Sequence, residues 1–370
     1  MRRIGTVRVK LMAMLAPFAP SKTSTLFPFT FEYVRSYKSQ FVLILLFSLV
    51  AVPRLASAAG PQSPTPGYKD LTARYDYPSR LGLDFTEMGV EKRGKVLLID
   101  LQYAGNDESD RVPAYLVLPD GDGPYPAILW GHWMMDGSPL RNRREFLDEA
   151  LVLARSGVVS LLIDTPMVRY GYKAKSVKED PLGWAEQYAE DEHQYIVDLR
   201  RGVDLLTSRY QVDRHRIAYV GHSFSAHSGA ILAGIDKRIC CFVLMAGEFN
   251  DEAMVRNATS GEMLKWKQAL GPEKVNQYLK DYAWDDPANF ISHTDDKSIF
   301  LQFASGDQVS RQQAQKSLDA FSAKDKKMEI YDASHALNAS ARLDRDRWLQ
   351  QHLKFKHPDE SALNAIPQLK

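Results

Sequence analysis

Residues 216–233 constrain the fold of this chain more than any other segment. An apolar run, Arg216-Ile217-Ala218-Tyr219-Val220, enters the tight stretch Gly221-His222-Ser223-Phe224-Ser225, and a helix of small residues, 226–233, leaves it. A strand, a sharp turn and a helix in this order expose the serine hydroxyl at the carboxyl edge of a sheet, the context of a G-x-S-x-G pattern. Gly221 meets that pattern. Ser225 stands where the second glycine is expected, and it is small enough to pass between two close backbones.

The rest of the chain supplies the sheet. From Lys95 onward, short apolar runs alternate with longer helical patterns, which predicts a mostly parallel sheet covered on both faces. Runs 96–103 and 112–118, joined by the polar turn 105–110, read as an antiparallel pair at the sheet edge, and Pro113 favours an edge because it donates no ladder hydrogen bond. Run 127–130, a helix near 144–156 and run 158–164 form a right-handed crossover. Ile196, Leu199, Val203 and Leu206 make one apolar stripe on the helix before the elbow. Runs 241–246, 299–303 and 327–331 follow, then a closing helix near 344–355.

Two excursions, about 167–190 and about 248–294, leave from the carboxyl ends of strands and carry many aromatic residues. Ligands of open α/β sheets sit above those ends, so these segments are the expected pocket walls, a small helical cap. Lys173, Lys175 and Lys178 read as a solvated charged loop.

The amino terminus reads differently. Residues 41–52 are apolar throughout, preceded by Arg35 and Lys38 and followed by Ala56-Ser57-Ala58. This is the layout of a signal peptide, with cleavage expected near Ala58 and export to the periplasm or beyond. The apolar core is about 12 residues, against the roughly 20 that a spanning helix needs, so no permanent membrane span is expected. The expected organisation is a leader over 1–59, a linker over 60–94, one α/β domain over 95–357 and a tail over 358–370. A net charge of +1 with mixed acids and bases gives no footprint for nucleic acid. Cys240 and Cys241, the only cysteines, are neighbours in an apolar run and read as unpaired buried thiols, which excludes a thiolate zinc site.

A serine hydroxyl needs a base, and the base needs an acid to orient it. The expected chain order is Ser, then Asp or Glu, then His. His335 follows the last apolar strand in the loop Asp332-Ala333-Ser334-His335, which delivers its imidazole over the edge where Ser223 stands. Asp307, in Ser305-Gly306-Asp307, follows the preceding strand and is the expected acid, with Glu248 or Asp251 as the alternatives. The oxyanion calls for two N–H donors. Phe224 N–H is expected as one, and the loop Trp130-Gly131-His132-Trp133 supplies the other, from Trp133 in preference to His132.

These residues resemble the α/β-hydrolase fold, and within it the dienelactone-hydrolase-like and acyl-peptidase-like branch. The likeness runs over most of 95–355, through 111–119, Pro126-Ala127-Ile128-Leu129-Trp130-Gly131-His132, 198–206, Gly221-His222-Ser223 and Ser334-His335. It implies a serine hydrolase acting on a small-molecule ester, with no metal or organic cofactor. Ser223 departs from the cysteine nucleophile of dienelactone hydrolases, so ester hydrolysis is implied rather than their namesake reaction. A peptidase or amidase with the same triad and a non-catalytic binding protein are the alternatives.

Overall fold

The computed structural model describes residues 67–368 except 79, 107, 108 and 260. The expected leader and its cleavage region lie outside the described residues. Nine strands form one sheet: β1 (Thr86–Arg93), β2 (Val96–Ala104), β3 (Arg111–Leu118), β4 (Tyr125–Gly131), β5 (Val159–Ile163), β6 (Val212–His222), β7 (Cys241–Met245), β8 (Ser298–Ala304) and β9 (Asp325–Tyr331). Their spatial order is β1-β2-β3-β5-β4-β6-β7-β8-β9. Strands β4 to β9 run parallel, while β1, β2 and β3 pair antiparallel with their neighbours.

Burial explains the apolar runs. In β6, Ile217 and Tyr219 face one side and Ala218 and Val220 the other, and all four are fully buried. A strand covered on both faces reads as a continuous apolar run rather than an alternating one. Helices α3 (Pro181–Ser208), α4 (Phe224–Ile235) and α8 (Arg311–Ala320) supply one cover, and α2 (Leu147–Arg155) and α9 (Ala339–Leu353) the other. Ile196, Leu199, Val203 and Leu206 are all buried on α3, as their spacing predicts.

Three expectations need correction. The sheet begins inside the expected linker, because β1 adds an outer strand whose residues are all exposed. Its ladder hydrogen bonds, not an apolar face, hold it there, and Glu87, Glu91, Lys92 and Arg93 keep that edge from templating another chain. Pro113 therefore lies in an interior strand; it is tolerated near the start of β3, where pairing with β5 begins one residue later at Ala114. The linker also holds α1 (Tyr68–Ala73), whose Leu71 packs with Tyr75, Ile196, Ile231 and Phe290. The expected tail forms α10 (Glu360–Ala365), with Leu363 buried and its carbonyl accepting from Arg342.

The first excursion ends by becoming the first turns of α3, a 28-residue helix capped by Asp180, which accepts from Gly183 N–H. Its amino-terminal part meets α5 (Asp251–Asn257), α6 (Gly261–Leu270) and α7 (Pro272–Asp281) in an apolar cluster around Ala185, Val255, Trp266 and Val275. No helix among the described residues is long and apolar enough to cross a membrane.

Candidate active site

The turn at Ser223 closes because Gly221 lets the strand and the helix meet. A Cβ on Gly221 would lie 2.3 Å from the carbonyl oxygen of Ser225. Ser223 adopts φ +56° and ψ −114°, a conformation that costs about 1–3 kcal/mol and persists only where its surroundings fix it. They do so here. Ser223 N–H donates to Met245 carbonyl at 2.7 Å, and Ser223 carbonyl accepts from Ala226 and His227 at 2.9 and 3.1 Å. Ser225 adds a tie that glycine lacks: its hydroxyl donates to His132 carbonyl at 2.6 Å and meets Tyr195 hydroxyl at 2.9 Å.

The loops after β6, β8 and β9 bring three expected residues together. His335 Nε2 lies 2.7 Å from Ser223 Oγ, and His335 Nδ1 lies 2.9 Å from Asp307 Oδ2. Gly306 allows this approach: its N–H donates to Ala333 carbonyl at 2.9 Å, and a Cβ there would lie 2.8 Å from that same oxygen. With Asp307 accepting from Nδ1–H, the lone pair of Nε2 faces the serine O–H. Neither alternative acid holds His335. Asp251 Oδ1 is 3.3 Å from His227 Nε2, and the Glu248 carboxyl, close enough to Asp307 for that charge to help raise its pKa after burial, makes no hydrogen bond to His335 among the described residues.

Trp133 is not where sequence reasoning put its function. Its N–H donates to Glu145 Oε2 at 2.6 Å, inside the protein, so it is unavailable to an oxyanion. Its indole instead stacks on His222 at 5.0 Å and lies parallel to His335 at 6.5 Å. The next N–H along, that of Met134, has no hydrogen-bond partner among the described residues, and Met134 is the first residue of the loop to reach solvent. Phe224 N–H is likewise unpaired among the described residues, at the first position of α4.

The sequence carries no sign of a role for Glu145 or of a partner for His222. Glu145 Oε1 meets His222 Nδ1 at 2.5 Å, and His222 Nε2 donates to His335 carbonyl at 2.8 Å. One carboxylate thereby joins the loop after β4, the end of β6 and the loop that carries His335. Both side chains are wholly buried. Only the run of acids and bases at 141–149 could have signalled Glu145, and a partner 77 residues away is not readable from it.

Two further histidines flank the site. His132 accepts from Thr165 N–H through Nε2 at 3.1 Å and donates through Nδ1 to Trp133 carbonyl at 2.7 Å. Burial, the dominant influence, lowers its pKa to about 4, so it is neutral at pH 7. His227 lies one turn into α4. Burial pulls its pKa down, but Glu192, Asp251 and Asp285 together outweigh that and raise it to about 9. Those acids line a cavity of about 100 Å³ between α3, α5, α6 and α7, walled by Trp184, Tyr188, Trp266 and Tyr278. Tyr188 packs edge-on against Phe224 at 5.5 Å, which sets the cavity beside the turn. Lys173, Lys175 and Lys178 are exposed, and Arg169 is an anchor rather than a wall, paired with Asp110 and Asp198 under the first excursion.

No family model matches this sequence, and no curated protein matches it. Solved structures do match. An acetyl xylan esterase from Paenibacillus sp. R4 superposes with a TM-score of 0.62 at 17% identity, over 77% of this chain and 93% of that one. Acetyl xylan esterase 1 from Thermoanaerobacterium sp. JW/SL YS485 does so with 0.60 at 14% identity, over 76% and 93%. A cold-adapted esterase from an Arctic intertidal metagenomic library gives 0.50 at 16% identity, over 72% and 99%. At such identities the likeness is one of architecture, and with the strand order and connections above it gives this chain the α/β-hydrolase fold.

Proposed function

We propose that this protein is a serine hydrolase that cleaves carboxylic esters through an acyl-enzyme. The observation that carries the reading is the continuous chain Ser223 Oγ, His335 Nε2, His335 Nδ1, Asp307 Oδ2, with links of 2.7 and 2.9 Å. His335 takes the proton of Ser223 as Oγ attacks the acyl carbon, and Asp307 holds the imidazole in the needed tautomer and stabilises its cation. The carbonyl π electrons move to oxygen, and the N–H groups of Phe224 and Met134 receive that negative charge. His335 then returns the proton to the departing alcohol. Water, deprotonated by the same imidazole, attacks the acyl-enzyme and frees the acid and Ser223.

The three solved structures described above bear esterase names, which supports esters over amides as substrates. The apolar stretch 41–52 and Ala56-Ser57-Ala58 support export with cleavage near Ala58; amino-terminal sequencing of the mature protein tests this, and a mature start before Ala56 refutes it. For the chemistry, Ser223→Ala should lower turnover of p-nitrophenyl acetate by roughly 10⁴–10⁶ and abolish labelling by a fluorophosphonate. A folded Ser223→Ala protein with normal turnover refutes the assignment.

A further inference from the structure

The cavity beside the elbow has a wall chemistry that ester hydrolysis alone does not require. Its sides are aromatic: Trp184 and Trp266 rings lie 6.5 Å apart, and Tyr278 meets Trp266 edge-on at 5.0 Å. Its polar wall is acidic, with Glu192, Asp251 and Asp285, and neither lysine nor arginine is among its lining residues. His227 supplies one positive charge, 3.4 Å from Glu192 and 3.3 Å from Asp251. Three carboxyls facing one imidazolium leave the cavity short of positive charge when they ionise. Burial, the main cause in each case, raises all three above the ordinary carboxyl range, Asp251 to about 7. Apart from its ion pair with His227, the buried Oδ1 of Asp251 accepts no hydrogen bond among the described residues.

The missing charge has a recognisable form. A compact metal ion requires several ligands converging on one point, and no group of three or more such side chains does so among the described residues. Aromatic faces backed by carboxylates suit a large, weakly hydrated organic cation, which the ring quadrupoles and the acids attract together. We propose that this cavity receives an organic ammonium group of the substrate, so that the protein prefers esters carrying a quaternary or protonated amine. This rests on the ester-hydrolase reading and names its substrate class. Tyr188 is common to the two regions: it lines the cavity and packs on Phe224, the residue whose N–H is the proposed oxyanion donor.

The test compares esters that differ only in that charge. One pair is acetylcholine and 3,3-dimethylbutyl acetate, with the cation in the alcohol; the other is methyl 4-(trimethylammonio)butyrate and methyl 5,5-dimethylhexanoate, with the cation in the acyl part. In at least one pair the charged ester should show kcat/KM at least tenfold above its neutral isostere, the order that one desolvated cation–π contact provides. Asp251→Asn and, separately, Trp266→Leu should each cut that ratio about fivefold or more. Because the ratio is taken within one preparation, partial loss of folded protein cancels. Ratios below about twofold in both pairs, with p-nitrophenyl acetate still turned over, overturn the cation site and leave the esterase reading intact. If p-nitrophenyl acetate is not turned over at all, the esterase reading itself falls, and this proposal with it.

Discussion

His132 and His227 are both buried close to Ser223, yet they are held in opposite charge states. His132 belongs to the loop side, where Thr165 N–H and Trp133 carbonyl satisfy its ring and no acid faces it, and burial drives its pKa down to about 4. His227 belongs to the cap side, where burial acts in the same direction but Glu192, Asp251 and Asp285 reverse the outcome to about 9. In the proposed reading, the difference separates two tasks around one serine. Donors that must receive a developing charge are best held by short, backbone-directed hydrogen bonds that need no reorganisation. A pocket that selects a substrate by charge needs uncompensated charge of its own.

The largest effect that tests this comparison concerns Asp307, the proposed acid partner of His335. Asp307→Asn should lower kcat by about 10⁴ if Asp307 fixes the tautomer of His335. A small effect would mean that an acid of the cap side reaches His335, and the division would fail. Glu145→Ala comes next, since it leaves Trp133 N–H and His222 Nδ1 without their partner. It should lower kcat by about 10²-fold, as loss of an oxyanion donor does, and cost about 1–3 kcal/mol of stability for each group left unpaired. Glu145→Gln sharpens the comparison. Its amide oxygen can accept from Trp133 N–H while its NH₂ donates to His222 Nδ1, so it should recover most of the kcat. If glutamine is as damaging as alanine by kcat and thermal unfolding, the loop side depends on charge after all.

How much of this was legible in the sequence follows from the range of each signal. Ser223, Asp307 and His335 each sit in a loop directly after an apolar run, so strand order alone delivered them to one edge. The strand β1 was invisible because Thr86–Arg93 has no buried residue, and ladder hydrogen bonds leave no trace in composition. Trp133 N–H reads as free in the sequence but is claimed by Glu145, a residue twelve positions on whose orientation no pattern reveals. Glu192 was hidden differently: it occupies an ordinary helical position on α3, and its meaning comes from His227 on α4 and Asp251 on α5. Aromatic excursions signalled a pocket, but its charge depends on pairings across three helices.

Ser225 offers a smaller test of the loop side. Ser225→Gly restores the more usual pattern at the elbow but removes the hydroxyl that donates to His132 carbonyl. It should lower stability by about 1–2 kcal/mol, read as the shift in denaturant midpoint at constant slope. A more stable glycine variant would show that the tie between elbow and loop contributes nothing.

The last test is the pH dependence of stability, where the two histidines should give opposite signs. Both have ordinary values near 6.5 when unfolded. Between about 4 and 6.5, unfolded His132 binds a proton that the folded form refuses, so its contribution is complete above 6.5 and is lost as pH falls through about 4. His227 binds a proton in the fold that the unfolded chain has released, so its contribution is complete below 6.5 and is lost as pH rises through about 9. Unfolding free energies should therefore differ from wild type by up to about 1.4 kcal/mol per pH unit. His132→Gln should remove a rising slope on the acid side and His227→Gln a falling slope on the alkaline side. If both variants alter the same limb, the two histidines share one charge state and the contrast between loop and cap does not exist.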